Sequence, residues 1–121
     1  MPKFTTGPIE NTGTPSIEVL LKSLNNSSAN TATVQARVFS LNGVKTLLFE
    51  SGPLTLAPQS SIVIKRVDLS DVLQYEVQFE HNLTGASKNK VQFSSWGFDL
   101  NGASNPSQRI VHAELSKFKL K

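Results

Sequence analysis

The chain has 121 residues, a formal net charge of +3 and 17% charged residues, so it has the length of one domain and can bury a core without covalent staples. It has no cysteine, which excludes disulfides, thiolate metal sites and cysteine nucleophiles. Its first residues, Met1-Pro2-Lys3-Phe4-Thr5-Thr6-Gly7-Pro8, hold no apolar run, so no secretory signal peptide is expected, and no segment approaches the ~18 apolar residues that span a bilayer.

Residues 1–15 carry Gly7, Pro8, Gly13 and Pro15 and show no apolar period. They read as a flexible, extended N-terminal arm rather than a core strand, with Phe4, Thr6 and Ile9 as its docking residues. Residues 16–121 read as one β-sandwich domain. Ile17, Val19 and Leu21 alternate with Glu18, Leu20 and Lys22, the pattern of a half-buried strand. After the turn cluster Asn25-Asn26-Ser27-Ser28, Ala32, Val34, Ala36 and Val38 alternate cleanly with Thr33, Gln35, Arg37 and Phe39.

Asn42-Gly43 between apolar runs predicts a two-residue type I′ hairpin, with a return strand over 44–50. Leu54 and Leu56 form a short strand ended by Pro58, and Ile62 and Ile64 lie on one face of the next. Residues 68–73 have the composition of a single helical or 3-10 turn. Tyr75, Val77 and Phe79 then alternate with Glu76, Gln78 and Glu80. A polar loop over 82–90 leads to a strand over 91–98, a turn over 101–107 and a last strand over 109–120 with Val111, Ala113 and Leu115 on one face. The sum is about eight strands with turn signals every 8–12 residues, which predicts an all-β antiparallel sandwich or jelly roll.

Chemistry-bearing patterns are sparse. His81 and His112 have no metal-ligand spacing, no nucleophile elbow is present, and no phosphate-cradling loop appears. His81 reads as a solvated strand-end residue and His112 as a packing or interface residue. Asp99-Leu100-Asn101-Gly102 resembles the start of a calcium loop but lacks the later ligands and the closing glutamate, so it reads as a turn. No catalytic residue, metal site or cofactor is expected, and an enzyme is the class the sequence favours least. Lys117, Lys119 and Lys121 sit at period two and read as charges on a terminal edge strand rather than as a nucleic-acid patch. Trp96 and Phe98 share a strand face with Ser94, opposite Val91, Phe93 and Ser95. One set is core, and Tyr75, Trp96 and Phe98 are the candidates for an aromatic interface.

Three stretches together carry a resemblance. They are Thr6-Gly7-Pro8 through Thr14-Pro15; Val67-Asp68-Leu69-Ser70-Asp71-Val72 leading into Tyr75-Glu76-Val77-Gln78; and Trp96-Gly97 through Arg109-Ile110-Val111-His112-Ala113-Glu114-Leu115. They resemble small β-rich proteins of endospore-forming Gram-positive bacteria, and the layout is loosely similar to the subunits of endospore appendages. That resemblance implies a jelly-roll domain behind a flexible connector, stacking into pilus-like fibres. Appendage subunits often crosslink through connector cysteines; with none here, a fibre would rely on strand pairing and apolar docking. The expected function is therefore a structural, self-assembling subunit of an extracellular or spore-surface fibre. Its partners would be copies of itself and other spore-surface proteins, without nucleic acid or membrane insertion. The alternatives are a carbohydrate- or peptide-binding module and a phage virion structural protein.

Overall fold

The computed structural model describes residues 2–13 and 15–118. Among the described residues eleven strands run in chain order: β1 (Lys3–Thr5), β2 (Ile9–Glu10), β3 (Glu18–Asn25), β4 (Ala32–Ser40), β5 (Thr46–Glu50), β6 (Leu54–Leu56), β7 (Ser60–Asp68), β8 (Gln74–His81), β9 (Val91–Phe98), β10 (Ser104–Ile110) and β11 (Ser116–Phe118). Two short 3-10 turns, Gly85–Ser87 and His112–Glu114, are the only helical pieces among the described residues. All pairings are antiparallel. One sheet has seven strands, in the order β11-β1-β8-β4-β5 with β2 on β8 and β6 on β4; the other has four, in the order β10-β9-β3-β7. The chain is an all-β sandwich, as the alternation predicted.

The core lies between the sheets. Val34, Ala36 and Val38 of β4 and Tyr75, Val77 and Phe79 of β8 meet Val19 and Leu21 of β3 and Val91 and Phe93 of β9, all at most 2% exposed. Phe79 and Phe93 stack across the sandwich with ring centroids 4.7 Å apart. Two extra residues shift the alternation. On β7 the register to β3 slips between Leu21 and Lys22, so Ile62, Ile64 and then Val67 turn inward while Lys65 and Arg66 are both exposed. On β5 the slip opposite Val38 and Phe39 leaves Leu47 and Leu48 both exposed, at 50% and 40%.

The N-terminal segment departs from its expected role as an arm outside the core. β1 pairs with β8 on one side and β11 on the other, with Phe4 opposite Phe79, and β2 pairs Ile9 with Tyr75. Phe4 and Ile9 are 4% and 7% exposed inside their own chain. The Thr6 hydroxyl accepts from the Val77 N–H at 3.0 Å. Strands of two or three residues broken by Gly7-Pro8 are too short to display a period, which hid them in the sequence.

Three further expectations are corrected. The hairpin after β4 is wider than a two-residue turn, because the Asn42 side chain is engaged elsewhere: it accepts from the Leu73 N–H at 2.8 Å and donates to the Asp71 carbonyl at 3.0 Å. Residues 68–73 form no helix, but a tight turn in which Asp71 takes a φ of 63° and the Val72 N–H donates to the Leu69 carbonyl. The last strand is two strands in different sheets. β10 starts within the expected turn, and the 3-10 turn at His112–Glu114 carries the chain from the four-stranded sheet to β11 at the edge of the other. The expected continuation through Lys119 and Lys121 lies outside the described residues.

A buried polar clasp fastens the N-terminal segment. The Tyr75 hydroxyl donates to Gln108 Oε1 at 2.8 Å, and Gln108 Nε2 donates to Asn11 Oδ1 at 2.8 Å. Asn11 Nδ2 donates to the carbonyls of Ser16 and Val72, and Asn11 Oδ1 accepts from the Ser16 N–H at 2.7 Å. Gly97 is required beside it: a Cβ there would lie 2.4 Å from Ser16 Oγ and 3.0 Å from the Gln108 side chain. Gly97→Ala should lower stability by about 1–3 kcal/mol through this overlap. The check is urea unfolding, read as a lower midpoint at unchanged slope.

Candidate functional site

The two outer faces of the sandwich differ. The seven-stranded sheet presents a lattice of ion pairs. Glu80 binds Lys3 at 2.8 Å and Arg37 at 3.0 Å, Arg37 binds Glu50 at 2.6 Å, and Lys45 binds Glu76 at 2.9 Å. Burial alone would raise the Glu80 and Glu76 carboxyls. Hydrogen bonds from Lys3 and Arg37 to the first, and from Thr5, Lys45 and Gln78 to the second, outweigh it and hold both below the usual glutamate value.

The four-stranded sheet presents aromatic and cationic groups instead. Its register sets Arg66 beside Leu20, Leu20 beside Trp96, and Trp96 beside Arg109 in one row across β7, β3, β9 and β10. Leu20 is only 9% exposed although it points away from the core, so its neighbours in the row cover it. The Arg109 guanidinium lies 5.8 Å from the centre of the Trp96 ring, and that of Arg66 lies 5.2 Å from the Phe98 ring while binding Glu18 at 2.9 Å. The next rows hold Val63, Lys22 and Ser94, then Ser61, Leu24 and Gln92. Beside them runs an open groove of about 460 Å³, lined also by Val111 and His112. Trp96 forms a wall of this groove, and its Nε1–H donates to Ser94 Oγ at 2.9 Å.

Of the sequence-derived aromatic candidates, Trp96 and Phe98 are thus half-buried on an outer face, with Phe93 as the inward member of the strand. Tyr75 is not with them. It is fully buried, its hydroxyl is committed to Gln108, and burial raises its phenol well above the ordinary value.

His81 is also corrected: it is 0% exposed rather than solvated, because β1 pairs alongside the end of β8 and brings Phe4 against the imidazole, with Phe93 packed near it as well. Its Nδ1 accepts from the Leu83 N–H at 3.1 Å, and its buried Nε2 has no hydrogen-bond partner among the described residues. Phe4 stacks against the imidazole with centroids 6.0 Å apart and meets His112 edge-on at 4.8 Å. His112 is a packing residue whose Nδ1 accepts from the Phe93 N–H at 3.2 Å. Burial pushes His81 down to about 4, with repulsion from His112 adding to it, and burial lowers His112 as well. Among the described residues no three acidic or histidine side chains gather as metal ligands. Asp99 behaves as a turn residue, its carboxylate accepting from the Asn101 and Ala103 N–H groups.

The architecture defines an antiparallel β-sandwich with one ion-paired face and one aromatic, cationic face. No family model and no curated protein sequence matches the chain. Among solved structures it is similar to Thermotoga maritima 1070 (TM-score 0.50, 13% identity, covering 97% of this chain and 90% of that one), a likeness of fold alone. The Anabaena sensory rhodopsin transducer is a further match, at TM-score 0.46 and 14% identity over 84% of this chain and 90% of that one.

Proposed function

We propose that the protein is a structural subunit that assembles with copies of itself into a fibre by joining sheet edges, outside the cell or on a spore surface. The observation that carries this reading is the free edge at β5. It ends the seven-stranded sheet, and Leu47 and Leu48 stand 50% and 40% exposed on it, with Val44 74% exposed in the loop just before it. Charges on an edge normally discourage pairing. Here Lys45 and Glu50 are already engaged with Glu76 and Arg37 of their own chain, which leaves an apolar border with unpaired backbone groups. A second copy adding a strand there gains main-chain hydrogen bonds and buries both leucines. Joining β5 to a different edge of the next copy gives a head-to-tail contact that runs on as a filament or closes as a ring. The N-terminal segment offers a second joint, because β1 exchanged between copies would meet the same register on β8. The placement at a spore surface rests on the sequence resemblance.

The test is a paired substitution, Leu47→Lys with Leu48→Lys. Both side chains are exposed, so the fold should persist by circular dichroism while assemblies seen by negative-stain microscopy disappear. Fibres that survive this change, or a wild-type protein that stays monomeric at high concentration, would sink the reading.

A further inference from the structure

From the geometry of the four-stranded face we infer a binding site for an acidic saccharide, a sugar bearing carboxylates, in the groove walled by Trp96 and Lys22. The site is separate from the β5 edge and does not depend on self-assembly.

Four observations converge on that ligand class. The groove is concave and mostly apolar, with a few polar groups spaced around it, the usual make-up of a small-ligand site. Trp96, Leu24 and Val111 supply apolar surface for the C–H faces of a pyranose ring, and Trp96 is held in place by its own hydrogen bond to Ser94. Ser61, Ser94 and Gln92 supply hydroxyl and amide groups that both donate and accept, which suits a polyol.

The charge is one-sided. Lys22 lines the groove and Arg109 flanks its tryptophan, and among the described residues neither has a carboxylate partner within ion-pairing distance. Of the nearby acids, Glu18 and Asp68 lie in the far row, where Glu18 is spent on Arg66 and Asp68 accepts from Ser70, and the Glu114 carboxylate accepts from the Val111 N–H at 2.9 Å. With no acid among the residues that line it, the groove favours an anionic ligand, and two cations on either side of Trp96 favour one with charges spread along it.

Along the groove floor β3 is paired with both β7 and β9, and on the outer side of β9 the Phe93 N–H is taken by His112 Nδ1 at 3.2 Å. β10 pairs with β9 only at Ser95, Trp96 and Phe98, so residues 91–94 leave no more than a short ladder for an extended peptide to join. Recognition therefore rests mainly on side chains, as it does for sugars.

Trp96 is the single tryptophan and reports directly on the site. Titration with trigalacturonate should give a saturable change in its fluorescence, both in the wild type and in the Leu47→Lys/Leu48→Lys protein. Retention in that variant separates this proposal from the assembly reading. Lys22→Gln should weaken binding about tenfold or more, as loss of one charge-assisted contact implies. Trp96→Phe, followed by calorimetry, should weaken it as well. The neutral trisaccharide maltotriose should bind at least about tenfold more weakly on the same scale. No saturable response to trigalacturonate overturns the proposal. So does binding that is indifferent to Lys22→Gln, or inorganic phosphate or poly-L-glutamate binding as well as the sugar does, since a plain cationic patch would explain either.

Discussion

Replacing Phe4 by alanine should destabilise the domain by about 3–5 kcal/mol, the usual result of emptying a buried phenylalanine site. Phe4 is 4% exposed and touches three rings: it lies 5.9 Å from Phe93, stacks on His81 and meets His112 edge-on, while its strand partner is Phe79. Truncation leaves a void between the sheets that the three rings cannot collapse to fill, because His81, Phe93 and His112 are held on β8, β9 and the 3-10 turn at His112–Glu114. Domain stabilities of about 5–15 kcal/mol make this a large fraction of the total. Urea unfolding of the monomer at neutral pH measures it. A loose arm predicts no change, so a Phe4→Ala protein with the wild-type midpoint would refute the packing of β1 in its own chain.

Acid should weaken the fold in two separate windows. His81 is buried and neutral, and its folded value of about 4 lies below the ordinary histidine value of 6.5. The unfolded chain therefore binds more protons between these values, and stability falls as pH drops from about 6.5 toward 4. At about 1.4 kcal/mol per pH unit the loss is on the order of 3 kcal/mol. His112 is lowered by burial and acts in the same direction. Glu80 and Glu76 add a second window below it. Their folded values are depressed, so the stability they lend is full above the ordinary glutamate value of 4.5 and is lost as they protonate below it. Unfolding midpoints collected from pH 7 to pH 3 should show both slopes. A folded His81→Gln protein should lose most of the upper one; an unchanged upper slope would mean that His81 titrates freely.

Alternation in the sequence carried much of the fold and little of the site. Residues 32–38 and 75–79 each have several inward side chains at strict period two, so their burial could be read directly, Tyr75 included. Placing Tyr75 in an aromatic interface gave weight to its residue type over its alternation with Val77 and Phe79. The burial of His81 could not be read locally, because β1, seventy-seven residues earlier at Lys3 opposite Glu80, covers that end of β8. The two faces of β9 were visible as sets. Deciding that Phe93 faces in and Trp96 faces out needed the register to β3, where Trp96 lies opposite Leu20 and Phe93 opposite Ser23. The groove draws on β3, β7, β9 and the turn at His112–Glu114, and no local pattern announces a surface assembled from such distant segments.

The seat of β1 also sets an order on folding. This strand lies between β8 and β11, with Lys3 opposite both Glu80 and Phe118. Its pairings are among the most distant in the chain, and such contacts form slowly because the loops they close are long. During synthesis β8 emerges well before residues 116–118, so the sheet cannot be completed until the last strand is available. In that interval any chain not yet locked by its own β11 presents strand edges and the ring cluster around Phe93 to its neighbours. Nascent chains close together on one message would meet in that state, so the arrival of β11 ends the period in which mispairing between them is open.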